Sequence, residues 1–230
     1  IVVPIGGGGL IAGVATAAKS IKPDIKIIGV QVAGYPGTYD SLYGDSGYLG
    51  GSTIAEGIAV KSPGKITMEV IDRLVDDIII VSEEAIEDAI SLLVNIEKTV
   101  TEGAGASVLA AVIGNPEIFT SKKTGLILSG ANIDTRILAS VLMRRLVRKG
   151  RIVRYKIRID DSPGTLARVS ATVGELGGNI LEVFHQRMFS SLPIKEADLF
   201  LTVETKDVSR SEVILKKLQD LNYQASLLDD

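Results

Sequence analysis

Four consecutive glycines hold the clearest chemical content of the chain. The apolar run Ile1-Val2-Val3-Pro4-Ile5 passes straight into Gly6-Gly7-Gly8-Gly9-Leu10, and an alanine-rich stretch of helical character continues to about Ile21. Glycines let successive backbone N–H groups turn toward one anion. The first turn of the following helix adds unpaired donors and the positive end of its dipole, so the pattern describes a phosphate cradle. The structural alternative is a tight strand-to-helix turn, but such a turn needs only one or two residues of positive φ. A second ligand-binding reading is a dinucleotide fold, since Gly7-Gly8-Gly9-Leu10-Ile11-Ala12 fits G-x-G-x-x-A. That fold wants Asp or Glu about 20 residues on, at the end of the second strand, to hold ribose hydroxyls. Here the expected strand Lys26–Val30 ends in Gln31.

Other residues of interest lie at element ends. Thr124 to Leu128 is expected to be a buried strand ending in Ser129-Gly130-Ala131-Asn132, which places a hydroxyl where ligands bind open α/β sheets. Glu102-Gly103-Ala104-Gly105-Ala106-Ser107 opens a helix with residues small enough for close backbone approach, either by a ligand or by a neighbouring strand. Lys19, Lys26, Lys61 and Lys98 sit on periodic or solvated segments, the ordinary place for lysine. The single His185 falls on a strand, reads as a packed or interface residue, and makes a His-based zinc site implausible.

These residues need a scaffold. With 230 residues and 46% hydrophobic content, the chain can build one large or two modest domains. A net charge of −3 with interspersed signs gives no nucleic-acid surface or polybasic membrane patch, which points to small-molecule partners. The absence of cysteine excludes a disulfide framework and a thiolate nucleophile, and fits a cytoplasmic protein. No apolar run reaches membrane-spanning length. Residue 1 is Ile inside a strand, so the chain is expected to be truncated. Strand and helix alternate through the first 149 residues, which predicts a parallel sheet; the polar stretch from Gly34 to about Thr53 is a candidate lid or interface loop. Ser82 reads as the N-cap of a helix with Glu83 and Glu84 in its first turn, and the basic cluster Arg144, Arg145, Arg148 and Lys149 as a solvated helix end. From Gly150 the style changes: residues 150–230 read β-α-β-β-α-β, a separate ferredoxin-like domain in which Ser162-Pro163 is expected to start the first helix.

In order along the chain, Pro4-Ile5-Gly6-Gly7-Gly8-Gly9-Leu10, Ala55-Glu56-Gly57-Ile58-Ala59-Val60-Lys61, Glu97 to Ala106, Ser129-Gly130-Ala131-Asn132-Ile133-Asp134 and Asp161-Ser162-Pro163-Gly164-Thr165-Leu166-Ala167 resemble the threonine dehydratases (threonine ammonia-lyases). The whole chain is similar to the carboxyl-terminal part of such an enzyme. The resemblance implies a fold-type II pyridoxal-phosphate domain over residues 1–149 and an ACT regulatory domain over 150–230. It implies that Gly6, Gly7, Gly8, Gly9 and Leu10 hold the cofactor phosphate, that Ser129 faces the pyridine nitrogen, that Glu102 approaches the ring, and that Gly57 lies at the substrate. The implied reaction is deamination of threonine, or also serine, by β-elimination; threonine gives 2-oxobutanoate and ammonia, in isoleucine biosynthesis or threonine degradation. Feedback by isoleucine or valine is implied at Asp161, Gly164 and Asn179, with pairing of copies into a homo-oligomer.

The resemblance has gaps. The Schiff-base lysine of the family belongs upstream of the glycine run, so no catalytic residue is expected in this chain and the fragment is expected to be inactive. Ser-Gly-Ala-Asn replaces the usual Ser-Gly-Gly-Asn, which puts the Ala131 methyl near the ring. Some relatives bind a cation through an acid at the position of Gln31, so no metal is expected here. A non-catalytic amino-acid-binding module and a nicotinamide-dependent dehydrogenase with an ACT tail remain alternative readings.

Overall fold

The computed structural model describes residues 1–47, 50–187 and 192–228. It divides into two compact units, Ile1–Leu142 and Met143–Asp230.

In the first unit β1 (Val2–Pro4), β2 (Ile28–Val32) and β3 (Asp77–Val81) form a parallel sheet in the order β1-β2-β3. Alternating side chains leave a strand on opposite faces, and both faces here are apolar. Val2, Val30, Val32, Ile79 and Val81 point one way, into a core shared with α4 (Glu83–Leu92) and α5 (Gly103–Gly114). Val3, Ile5 and Ile78 point the other way, toward Ile11 and Ala15 of α1 (Gly9–Ile21) and Ile71 of α3 (Lys65–Leu74). Ser82 caps α4 as its sequence predicts, its hydroxyl accepting from Ala85 N at 3.2 Å. Between β2 and α3 lies a short helix, α2 (Gly37–Tyr43), within the segment read as a lid or interface loop; Tyr48 and Leu49 of that segment fall outside the described residues. α6 (Pro116–Phe119) lies in this unit, and α7 (Thr135–Arg148) begins in it and runs past Leu142; α7 is started by Asp134, whose carboxylate accepts from Arg136 N and Ile137 N.

Two expectations need correction. The strand expected at Thr124–Leu128 is reduced to one parallel bridge, Leu126 to Val2, flanked by Val2 N→Gly125 O (2.8 Å) and Ile127 N→Val2 O (3.0 Å). The next rung would need an N–H from Pro4, which has none, so pairing stops there. Gln31 does not end its strand either: β2 runs on to Val32 and the Gln31 side chain is fully buried. Its amide donates to Tyr35 O and accepts from Tyr39 N, tying the following segment to the sheet.

The second unit contains β4 (Ile152–Asp160), α8 (Thr165–Glu175), β5 (Asn179–Gln186), β6 (Glu196–Glu204), α9 (Val208–Asp220) and β7 (Gln224–Leu228). The sheet is antiparallel in the order β5-β6-β4-β7, the ferredoxin-like arrangement. Tyr155, Ile157, Leu199, Leu201 and Val203 pack on Val169, Val173, Ile214 and Leu218 of the two helices. The buried Tyr155 hydroxyl donates to Ser211 O at 2.8 Å, and burial pushes its pKa up. The first helix begins later than Ser162-Pro163 suggests. Gly164 is its N-cap, with φ 86°, and Ser162 Oγ instead lies 3.0 Å from Thr165 Oγ1.

Candidate functional site

The glycine run lies between the carboxyl end of β1 and the first turn of α1. Its four members differ in what they face. A Cβ on Gly6 would meet Gly57 O at 2.8 Å, and one on Gly8 would meet Thr67 Oγ1 at 2.7 Å and the Ile71 side chain at 3.0 Å. Gly8 alone of the four has positive φ, 91°, and is the N-cap of α1. Gly6 and Gly8 are therefore explained by packing and conformation. Gly7 and Gly9 are not: their φ is not positive, and a Cβ on either would meet nothing within 4 Å. Both are exposed to open space. The N–H groups from Gly6 to Ile11 donate to no acceptor among the described residues; the first amide of the helix to do so is that of Ala12, to Gly8 O. A row of free donors at a helix start, beside two glycines that leave room for a ligand, fits a phosphate.

The rest of the site continues from Gly57. This residue lies in a single helical turn, Glu56–Ile58, and a Cβ on it would meet Ala104 Cβ at 3.2 Å and Glu102 Oε1 at 3.4 Å. Glu102 is the N-cap residue of α5, and its backbone N–H donates to Gly130 O at 3.1 Å. A Cβ on Gly130 would meet the Glu102 carboxyl group, and one on Gly105 would meet Gly130 O at 3.0 Å and Ser129 N at 3.3 Å. Small residues at the start of α5 thus admit the chain at Ser129-Gly130, so of the two readings of that stretch the structure supplies the backbone approach. Ile54, Glu56, Gly57, Glu102, Asn132, Ile133, Asp134 and Ile137 line a cavity of about 560 Å³. In this way Gly6, Gly57, Glu102 and Ser129 fall in one contiguous region at the carboxyl side of the sheet, with Gly7, Gly9 and Leu10 at its edge.

Sequence reasoning did not single out the residues that hold the glycine loop from behind. Gly64 N donates to Gly7 O at 3.3 Å, and Thr67 Oγ1 to the same oxygen at 2.8 Å. Pro63-Gly64 ahead of a helix was the available signal, but it reads simply as a helix start.

Three of the four lysines singled out in the sequence are engaged elsewhere. Lys19 and Lys26 pair with Asp76 at 2.8 and 2.9 Å, and Lys98 Nζ donates to Asn95 O at 2.6 Å. Lys61 is exposed. Partial burial works to raise the Asp76 pKa, but hydrogen bonds from Lys19, the Ile27 N–H and Lys26 outweigh it and hold the carboxyl at about 2. Among the described residues no group of three or more His, Cys, Asp or Glu side chains could hold a metal ion. No helix among them is long and apolar enough to cross a membrane.

In the second unit the three effector candidates are not together. Asp161 and Gly164 follow the end of β4 that pairs with Glu196, whereas Asn179 pairs with Glu204, at the other end of the sheet. Along the strands that is roughly 26 Å. Asp161 is also occupied, accepting from Arg187 Nε at 2.9 and 3.0 Å, with His185 Nε2 at 3.6 Å.

The family model described as "Pyridoxal-phosphate dependent enzyme" matches residues 1–130. The chain belongs to that family. Pyridoxal phosphate is thus its cofactor, and the nicotinamide alternative falls away. The chain is 40% identical, over 99% of its length, to an L-threonine ammonia-lyase of Thermotoga maritima, and spans 57% of that relative's length. Among solved structures, the processed form of threonine deaminase isoform 2 from Solanum lycopersicum is 34% identical with a TM-score of 0.55, covering 62% of this chain and 40% of its own. Maize serine racemase is 37% identical with a TM-score of 0.54, covering 63% of this chain and 46% of its own. The matches support the threonine ammonia-lyase likeness but do not bear out the expected placement at the carboxyl-terminal end of such an enzyme.

Proposed function

We propose that these 230 residues form the phosphate-holding and ring-facing portion of a pyridoxal-phosphate-dependent threonine ammonia-lyase. The observation that carries this reading is the pair Gly7 and Gly9, which neither backbone conformation nor protein packing requires. The free amides from Gly6 to Leu10 hold the phosphate, Ser129 faces the pyridine nitrogen, Glu102 stands beside the ring, and the Gly57 turn borders the substrate. Bound pyridoxal phosphate supplies an electron sink for negative charge at the α carbon of an amino acid. A neutral hydroxyl at the ring nitrogen leaves that sink weaker than a carboxylate would, which favours rapid loss of the β-hydroxyl over side reactions. Threonine loses water and regains it on hydrolysis, so the balance is 2-oxobutanoate plus ammonia.

Among the described residues no lysine lines the cavity beside Gly57 and Glu102, and we assign the Schiff-base lysine to a segment outside these residues. The chain alone is then expected to bind pyridoxal phosphate without turnover. Equilibrium dialysis tests the reading directly. Gly7→Ala and Gly9→Ala should each weaken pyridoxal phosphate binding at least about tenfold while leaving the ligand-free unfolding midpoint nearly unchanged. Unchanged binding in both would remove its basis, and ammonia release from the isolated chain would remove the lysine assignment.

For residues 150–230 the reading is an ACT-type unit that responds to isoleucine or valine, in a cytoplasmic homo-oligomer. The distance between Gly164 and Asn179 means that one ligand touches both only if a second copy contributes one of them. Calorimetric titration of isoleucine and valine tests this, and no heat with either would leave the unit without an effector.

A further inference from the structure

The peptide between Gly7 and Gly8 has glycine on both sides, so no Cβ contact biases its orientation. Its orientation decides whether the open side of the loop presents an N–H donor or a carbonyl oxygen. In a trans peptide these two groups point in opposite directions. Gly7 O is directed at the start of α3, where Thr67 Oγ1 lies 2.8 Å away and Gly64 N 3.3 Å away. The Gly8 N–H is thereby directed to the opposite side. The same hydroxyl lies 2.8 Å from Gly64 O, but that oxygen already accepts from Met68 N at 2.9 Å, whereas among the described residues Gly7 O has besides it only the longer bond from Gly64 N. Thr67 is also the atom group that a Cβ on Gly8 would strike, so the loop rests directly on it.

We infer that Thr67 is a positioning residue for the cofactor phosphate: its hydroxyl holds the Gly7 carbonyl away from the anion and fixes the donor face of the loop. The inference rests on the reading of the glycine run as the phosphate cradle. It concerns a residue on another helix, some 60 positions away in sequence, whose hydroxyl bonds the backbone of the loop. Losing the bond frees the peptide to turn its oxygen toward the anion, which exchanges a donor for a like-charged acceptor at the phosphate.

The test uses the 230-residue chain with two probes, pyridoxal phosphate followed by equilibrium dialysis and inorganic phosphate followed by phosphorus NMR titration. Thr67→Val removes the hydroxyl at nearly constant shape, and Thr67→Ser keeps it. Expected is a loss of about tenfold in affinity for both probes in Thr67→Val and binding within about threefold of the parent in Thr67→Ser, with ligand-free unfolding midpoints of all three close together. Parent-like binding of both probes by Thr67→Val would overturn the inference. So would a loss confined to pyridoxal phosphate, since the effect must sit at the phosphate, or equal losses in Thr67→Ser and Thr67→Val. If the parent chain bound neither probe, the cradle reading itself would fall and Thr67 with it; if it bound and Thr67→Val bound equally, only the role of Thr67 would fall.

Discussion

A glycine can be demanded by its own backbone or by what must lie beside it, and the molecule holds both kinds. Gly164, an effector position implied by the resemblance, has φ 86° as the N-cap of α8, with the Arg168 guanidinium 3.5 Å from its missing Cβ. Its backbone alone explains it. Gly164→Ala is therefore expected to destabilise by about 1–2 kcal/mol with no ligand present, the usual cost of left-handed conformation in an L-residue. Gly174, inside the same helix, faces open space and has no positive φ, so Gly174→Ala should stabilise by about 0.5 kcal/mol. Urea unfolding midpoints of the two variants check both signs. Equal shifts in one direction would show that backbone conformation does not govern these positions. The contrast also qualifies any Gly164 variant as a probe of effector binding, because strain would accompany the lost space.

At the scale of elements, Asp76 joins three pieces of the first unit: Lys19 in α1, Lys26 and the Ile27 N–H just before β2, and its own turn between α3 and β3. A carboxyl held at about 2 stabilises the fold wherever it is ionised in the native state and would be ionised in the unfolded chain, so its full contribution is present above the ordinary carboxylate range near pH 4. It is lost as pH falls through about 2. Asp76→Asn should cost about 1 kcal/mol at pH 7, given the partial exposure of the ion pairs, and the gap between parent and variant should narrow from pH 4 to pH 2. A gap that stayed constant across that range would assign the loss to shape instead of charge. The sequence made most such elements legible, because apolar periodicity and caps are local: Ser82, the β-α-β-β-α-β order and the start of α1 were all readable. What was not readable depends on partners. The strand expected before Ser129 is cut to one bridge by the missing N–H of Pro4, over a hundred residues away. Thr67 drew no notice because its only unusual feature is a hydrogen bond across 60 residues. Asn179 and Gly164 are close in sequence pattern yet sit at opposite ends of a sheet, which no local signal reports.

Across the whole molecule, the two units have separate cores. Val30, Ile90 and Val108 belong to one cluster, Ile5 and Ile11 to its neighbour on the other face of the parallel sheet, and Leu199, Leu201 and Ile214 to the core of the ferredoxin-like unit. A shared core makes unfolding all-or-none, whereas separate cores allow separate transitions. Scanning calorimetry is expected to resolve two. Leu201→Ala removes a fully buried side chain from the second unit and should lower one transition, with a loss of about 2–5 kcal/mol, while leaving the other in place. Ile90→Ala, equally buried in the first unit, should do the reverse. The ligand supplies an independent assignment, because pyridoxal phosphate at about a hundred times its dissociation constant should stabilise the unit that binds it by about 2.7 kcal/mol. That gain should appear on the transition that Ile90→Ala lowers and not on the one that Leu201→Ala lowers. A single transition moved by both substitutions and by the ligand would mean that the two cores are thermodynamically one.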